Sequence, residues 1–316
     1  MPASTETKRR SHLNRLAANR TVQITDNDIR DIFEPLARHR QLSTRQLVAF
    51  GARHPIATKL RLGSLWHATQ NETAHWLHRV NENFPFANHL TVEDLHCLGD
   101  EAEAALVTAK IIPDEDWVAA CRIGGKSLAP SKIMRLAHDH MASDIALDIE
   151  IGARKAGADY KSHIDIFRAG SNFARRQKKP LKIPLTLSGE KTFIEPDALF
   201  AIGNRVYALE ADKGTESIKA VIVQKILAYR EIVAAKVIDD YLGVDNLTVL
   251  FATSSRKRME HVMKELAGIA HNSRSRMFGF RAEDTFDDFL HTPAPSGRLF
   301  SEPWARVGHD DLILST

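Results

Sequence analysis

The chain has 316 residues, 43% of them hydrophobic and 26% charged, with a formal net charge of +3 at pH 7. That is ordinary for a globular protein and long enough for two domains of usual size. No segment approaches 18 uninterrupted apolar residues, which excludes a membrane-spanning helix. So small a net charge does not by itself indicate nucleic-acid binding, for which the distribution of charge matters more.

The first residues carry Lys8, Arg9, Arg10, Arg15 and Arg20. A basic arm for DNA phosphate, a disordered tail and an organelle transit peptide are all open for residues 1–20. The start lacks the apolar core of a secretory signal, and Cys97 and Cys121 have no metal-type spacing. Reduced thiols in the cytoplasm are therefore expected. The next third reads as helices. Asp26 or Asn27 caps a helix from Asp28 to Arg40 with Ile29, Ile32, Phe33 and Leu36 on one face. Leu42-Ser43-Thr44 caps a short helix, Arg45–Phe50, and a third runs from Pro55 through Leu60, Leu62, Leu65 and Trp66. Three short helices with tight turns fit a helix-turn-helix core as well as a plain bundle. In the first case the third helix offers Lys59, Arg61, Ser64 and His67 to a major groove.

A helix is expected over Asp100–Thr108, a connection over Pro113–Pro130 with Gly124-Gly125, and a long helix from Ser131 to Lys155. On that helix His138 and His140 are two apart, do not share a face, and make a poor zinc pair. Basic runs follow at Arg175-Arg176-Gln-Lys178-Lys179, at Arg256-Lys257-Arg258 and at Arg274/Arg276. Each alone is an ordinary solvated surface, but three runs flanking one site favour DNA or RNA. There is no P-loop, Rossmann fingerprint or serine-triad elbow.

The densest chemistry lies between Pro196 and Tyr229. The run Asp197–Ile202, then Gly203-Asn204, then Arg205–Asp212, reads as a two-residue hairpin. Pairing Ile202 with Arg205 sets Asp197 opposite Glu210, with Cβ atoms about 4.5–5.5 Å apart. Asp212, two residues on, shares that face. Both strands are apolar on both sides, as interior strands are, so carboxylates ending them need partners. Solvent, Arg205 or Lys213 can serve, but a hard divalent cation, Mg²⁺ or Mn²⁺, would resolve the repulsion among Asp197, Glu210 and Asp212. Ile218, Ile222, Lys225, Tyr229 and Ile232 then mark one stripe of a helix over 217–242, capped by Thr215 or Ser217. Lys225 on that stripe either points at the carboxylates or snorkels to the helix edge. A strand at Leu247–Thr253, a helix over 255–270 capped by Ser254-Ser255, and a last strand at Phe278-Gly-Phe280 complete the reading.

Pro196-Asp197, a strand, a turn and a strand ending in Glu210-Ala-Asp212-Lys213 resemble the PD-(D/E)XK nuclease-like superfamily. From roughly Asp28 to Phe280 the chain resembles the replication-relaxation family of plasmid replication and mobilisation accessory proteins. Leu209–Thr215 and Gln224-Lys225-Ile-Leu-Ala-Tyr229 carry that likeness. The resemblance implies an α/β protein: a winged-helix DNA-binding region over 21–130, then a PD-(D/E)XK nuclease-like mixed-sheet domain over 131–316. It implies double-stranded DNA as partner, relaxase or replication proteins as company, no membrane, a homodimer as one assembly, and a bacterial or mobile-element origin. Catalytic roles then fall to Asp197, Glu210, Lys225, Asp212, Lys213 and Tyr229. Nucleic-acid contacts fall to Lys59, Arg61, Ser64, Arg175, Arg176, Arg256, Lys257 and Arg258. Asp148 or Glu150 either adds a metal-site carboxylate, as the first core helix of this superfamily often does, or is ordinary solvent-exposed helix surface. The superfamily pattern puts lysine two residues after the glutamate, where this chain has Asp212. Lys213 faces the other way unless a bulge intervenes, so Lys225, where it points at the carboxylates, is the candidate substitute. Mg²⁺-dependent cleavage and a catalytically inactive DNA-binding accessory or transcription regulator are the two functional readings.

Overall fold

The computed structural model of the chain describes residues 21–68, 74–80, 93–113, 133–177, 179–214, 216–286 and 294–316. The basic start, most of the Pro113–Pro130 connection, Cys121, Lys178 and Thr215 lie outside them.

Helix α1 (residues 26–39) starts at Thr25, not at Asp26 or Asn27. The Thr25 hydroxyl accepts from the Asp28 amide while the Asp28 carboxylate accepts from the Thr25 amide, a reciprocal capping box. Strand β1 (Leu42–Ser43) leads to α2 (Thr44–Phe50), where Ser43 and Gln46 form a second capping box. Helix α3 (Pro55–His67) follows, then β2 (Leu77–Arg79) and β3 (Leu95–Leu98), which with β1 make an antiparallel sheet of order β1-β3-β2. Helix α4 (Asp100–Thr108) ends where the composition placed it. Ile32, Phe33, Leu36, Leu47, Leu62, Leu65, Leu77, Leu98 and Leu106 form one core.

Helix α5 (Ile133–Lys155) is buried almost from end to end, because it is wanted on two sides. Its Leu147 and Ile151 join the N-terminal core, while Met141, Ile145 and Ile149 pack on a large sheet. Buried carboxylates on such a helix need partners, and each has one. Asp148 accepts from the amides of Ser296, Gly297 and Leu299 at 2.6, 2.7 and 2.8 Å. Glu150 is held by Arg38 at 2.7 Å, His39 at 2.6 Å and Arg154 at 2.7 Å. Asp144 takes the Gln46 amide. Gly152 and Gly297 meet backbone to backbone: a Cβ on Gly152 would stand 2.3 Å from the Gly297 carbonyl.

The rest of the chain runs β4 (Tyr160–Ser162), α6 (His163–Ala169), α7 (Asn172–Arg175), β5 (Ile183–Leu187), β6 (Glu190–Ile194), β7 (Ala198–Ile202) and β8 (Arg205–Asp212). It continues through α8 (residues 218–234, π-helical over Ile218–Ile222), α9 (Val237–Leu242), β9 (Thr248–Thr253), α10 (Arg256–Ile269), β10 (Ser275–Ala282), α11 (Arg298–Ser301), β11 (Trp304–Val307) and β12 (His309–Leu312). A seven-stranded mixed sheet has the order β12-β11-β10-β9-β8-β7-β4, while β5 and β6 pair with each other alone. Strands β8, β9 and β10 are parallel, so their C-terminal ends share one edge; the other pairings are antiparallel.

The apolar alternation sorts the two faces. Phe200, Tyr207 and Leu209 face α5, whereas Leu199, Val206 and Ala208 face α8 and α10. The helix expected over 217–242 is broken, because Lys236 turns left-handed at φ 56 and separates α8 from α9. Helix α6 and the β11–β12 hairpin were not expected from the sequence. The first does carry a legible signal, the Ser162-x-x-Asp165 capping box.

Candidate functional site

The β7–β8 hairpin has the expected register, Ile202 opposite Arg205 and Ala198 opposite Leu209. The ladder continues one step through the Asp197 amide, which donates to the Leu209 carbonyl at 2.9 Å. The Asp197 side chain then replaces the next backbone acceptor, its Oδ2 taking the Ala211 amide at 2.8 Å. Asp197 and Glu210 therefore end up side by side, at the edge where the parallel strands finish.

Glu210 is almost wholly buried. Tyr229 donates its hydroxyl to Oε1 at 2.5 Å, and the Lys225 ammonium lies 3.0 Å from Oε2. Lys225 and Tyr229 sit one turn apart on α8, so one helix face delivers both. The path onto that face begins at Ser217, whose hydroxyl accepts from the Ala220 amide. Lys225 also reaches Glu216 at 3.2 Å. From the other side of the sheet, His138 Nε2 of α5 comes within 3.4 Å of Asp197 Oδ2, and its Nδ1 within 3.2 Å of Asp139.

These contacts set the charges. Burial works against the His138 cation, but hydrogen bonds to Asp139 and Asp197 outweigh it and push the imidazole up to about 10. Burial likewise opposes the Lys225 ammonium, yet Glu210 and Asp197 hold it protonated. Asp197 is depressed despite burial, chiefly by His138 and Lys225. Glu210 is raised to about 7, first by burial and then by the Asp197 charge, with Lys225 and Tyr229 pulling the other way. The two neighbouring carboxylates are thus driven apart, one firmly ionised and one near neutrality, which is how paired acids divide roles in catalytic sites.

The remaining sequence candidates go elsewhere. Asp212 shares the Glu210 face but is clamped by Arg258, whose Nη2 donates to Oδ1 at 2.9 Å and whose Nε donates to Oδ2. That contact withdraws Asp212 from the carboxylate pair and Arg258 from the surface at once. Lys213 turns to the opposite face, where its charge bears on the buried His140. No bulge redirects it, since β8 pairs in unbroken register with β9 through Asp212. Gln224 is exposed and does not share the Lys225–Tyr229 face. Asp148 and Glu150 are occupied far along α5, by the α11 N-terminus and by α1, so neither joins Asp197. Among the described residues no group of three or more His, Cys, Asp or Glu side chains is arranged to hold a metal ion.

Of the basic candidates, Arg175, Arg176 and Lys257 are exposed, and Arg256 meets Glu260 at the surface at 3.2 Å. Arg61 is engaged by Asp28 at 2.5 Å, together with Arg53 at 2.8 Å. The Ser64 hydroxyl donates to its own helix at Leu60. Lys59 stands exposed on α3. Sequence reasoning weighed His138 only as half of a poor zinc pair and gave it no place at this site, because its partner Asp197 lies far along the chain, just before β7.

Fold and site together define a mixed α/β protein whose large sheet presents two carboxylates, a lysine, a histidine and a tyrosine at the carboxyl edge of its parallel strands. The replication-relaxation family model matches residues 33–248, more than half of the chain, and the chain belongs to that family. Membership suggests a role in plasmid or mobile-element replication or mobilisation. No curated protein and no solved structure matches the chain. No helix among the described residues is long and apolar enough to cross a membrane.

Proposed function

We propose that the chain is a DNA-binding protein of plasmid or mobile-element replication or mobilisation, with a PD-(D/E)XK-like domain that cleaves DNA using Mg²⁺ or Mn²⁺. The observation that carries this reading is the Lys225–Glu210 contact at 3.0 Å. On this reading a lysine from the following helix would stand in for the lysine that the superfamily pattern gives to the strand. Asp197 and Glu210 would hold the metal, a set of one or two carboxylates being usual for Mg²⁺ when waters and phosphates complete the shell. Bound there, the ion supplies an activated water and neutralises charge developing on the phosphate. Lys225 would orient that water or offset the same charge, and Tyr229 fixes the Glu210 carboxylate through its 2.5 Å bond. Asp212 and Lys213, which the structure turns to Arg258 and toward His140, have no part in this scheme.

The N-terminal unit supports the DNA-binding half. Its order of helix, strand, two helices and hairpin, with a sheet of order β1-β3-β2, is what a winged helix would show. Duplex DNA is then the partner, and relaxase or replication proteins the company.

A second reading, a DNA-binding accessory without catalysis, is favoured by one specific observation. His138 already sits against Asp197, Lys225 against Glu210 and Arg258 against Asp212, so each of these carboxylates has a basic neighbour without a metal. Incubating the full chain with supercoiled plasmid in Mg²⁺, Mn²⁺ or EDTA separates the two. Metal-dependent nicked or linear product that disappears in Asp197→Ala supports the nuclease. Intact duplex, nicked and single-stranded substrates, with DNA still bound, support the accessory.

A further inference from the structure

Helix α3 is apolar on two opposite faces. Thr58, Leu62, Leu65 and Trp66 are buried and seat it on the N-terminal core. Opposite them, Ile56 and Leu60 are 63% and 69% exposed, the two most exposed large apolar side chains among the described residues. Lys59 stands between them, and a Cβ on Gly63, one turn further along, would meet nothing within 4 Å. The four positions 56, 59, 60 and 63 form one stripe at helical spacing. A large exposed apolar pair costs solubility and marks a contact surface when it is contiguous.

Charge identifies the partner. Between Glu34 and Glu72 the sequence contains no Asp or Glu, while it contains Arg38, Arg40, Arg45, Arg53, Lys59 and Arg61. Arg53 and Arg61 both pair with Asp28, which ties the α2–α3 corner to α1 and leaves Lys59 as the cation of the exposed stripe. The corner itself, residues 51–54 between α2 and α3, has the short Gly-containing turn of a helix-turn-helix. In that arrangement the second helix lies in the major groove and its N-terminal residues meet base edges. Ile56, Lys59 and Leu60 lie in the N-terminal half of α3. Asp28, the carboxylate that reaches this corner, is buried and shared by two arginines, so the stripe presents alkyl groups around one cation, which complements a groove lined by phosphates and by thymine methyls, the one apolar group that a base pair presents there.

We infer that Ile56 and Leu60 are base-reading residues that pack on thymine C5-methyl groups in the major groove, with Lys59 on a flanking phosphate. This inference rests on the DNA-binding reading above and adds its specificity: a preference for thymine at one or two positions of each site, read by apolar contact rather than by hydrogen bonds.

The test uses the full chain. A preferred duplex is selected from a random pool, and binding is followed by fluorescence anisotropy as each thymine in it is replaced by deoxyuridine, which lacks only the methyl group. One or two replacements should weaken wild-type binding about three- to fivefold, the worth of one lost methyl contact. That sensitivity should vanish in Ile56→Ala or Leu60→Ala, both surface changes whose folding a melting curve verifies. Lys59→Gln should instead weaken all duplexes alike and reduce the salt slope by about one. Duplex binding that ignores every deoxyuridine, or a sensitivity that survives both alanine variants, overturns the inference and leaves DNA binding standing. An Ile56→Ala or Leu60→Ala protein that binds DNA unchanged but loses a dimer in sedimentation assigns the stripe to a second copy, and also overturns it. No binding to any duplex fails the DNA reading itself.

Discussion

Lys225 meets Glu210 across the helix–sheet interface, Nζ 3.0 Å from Oε2, while Tyr229, one turn on, binds the other oxygen of the same carboxylate. The lysine is thereby fixed toward the Asp197–Glu210 pair rather than carried to the helix edge. Lys225→Met keeps the length and apolar stem, and Glu210, already raised to about 7, can take up a proton when the cation is gone. The variant should fold with a melting temperature close to the wild type. Metal-dependent cleavage should drop by roughly 10²–10³, the scale of removing one charge-stabilising group. Lys213→Met should change it far less. The opposite ranking in a plasmid-nicking assay would place Lys213 in the site and refute the strand alternation used here.

His138 would compete with a metal for Asp197, because its imidazole already lies 3.4 Å from Oδ2. Mg²⁺ or Mn²⁺ should raise the melting temperature of the wild type by mass action. Asp197→Ala should abolish that rise, and His138→Asn, which removes the competing cation, should enlarge it at equal metal concentration. A wild-type melting curve unmoved by saturating metal would argue against the metal and for the compensated binding module.

Asp212 is a structural acid in this geometry. It and Arg258 are largely buried against each other, with side-chain exposures of 6% and 15%. Breaking such a pair from one side leaves an uncompensated charge and costs about 3–5 kcal/mol. Asp212→Ala should therefore lower the denaturant midpoint markedly yet leave the metal-induced melting shift intact. Loss of the metal response without loss of stability would return Asp212 to the metal site.

Stability should fall with acid in two stages. His96 and His140 are depressed to about 4 and His163 to about 3, each chiefly by burial, so the folded state keeps them neutral. Because the unfolded chain binds these protons first, near pH 6.5, the stability they contribute is complete above that pH and is lost as pH falls toward 4 and 3. Glu150 is held down to about 2 against burial, mainly by its His39 bond and then by Arg38 and Arg154. Its contribution, about 3 kcal/mol from a shift of that size, is present above roughly pH 4.5 and is lost as pH falls through 2. Urea denaturation from pH 7 to pH 3 should show the first decline before ordinary carboxylates titrate. In Glu150→Gln the slope below pH 4.5 should flatten; an unchanged slope there would deny the carboxylate its role in joining α1 to α5.

The sequence by itself determined the parts that depend on local pattern. Gly203-Asn204 between apolar runs imposed the hairpin and its register, which put Asp197 next to Glu210. The helical stripe through Ile222, Lys225 and Tyr229 placed lysine and tyrosine on one face, and a resemblance carried by the same residues led to the family that the chain belongs to. Tertiary structure alone decided which charges meet. His138 against Asp197, Arg258 against Asp212, and Arg38 and His39 against Glu150 join residues from separate elements, up to 112 positions apart. Periodicity tells which side of an element a charge occupies but not which element packs there. Buried charge must find a partner wherever the fold brings one, so Asp212, read from the sequence as a metal ligand, and Glu150, which the resemblance offered as one, became anchors between elements. Likewise the sequence runs α3 through Leu60, Leu62, Leu65 and Trp66 without saying which of them are covered; the fold buries the last three and leaves Leu60 facing solvent.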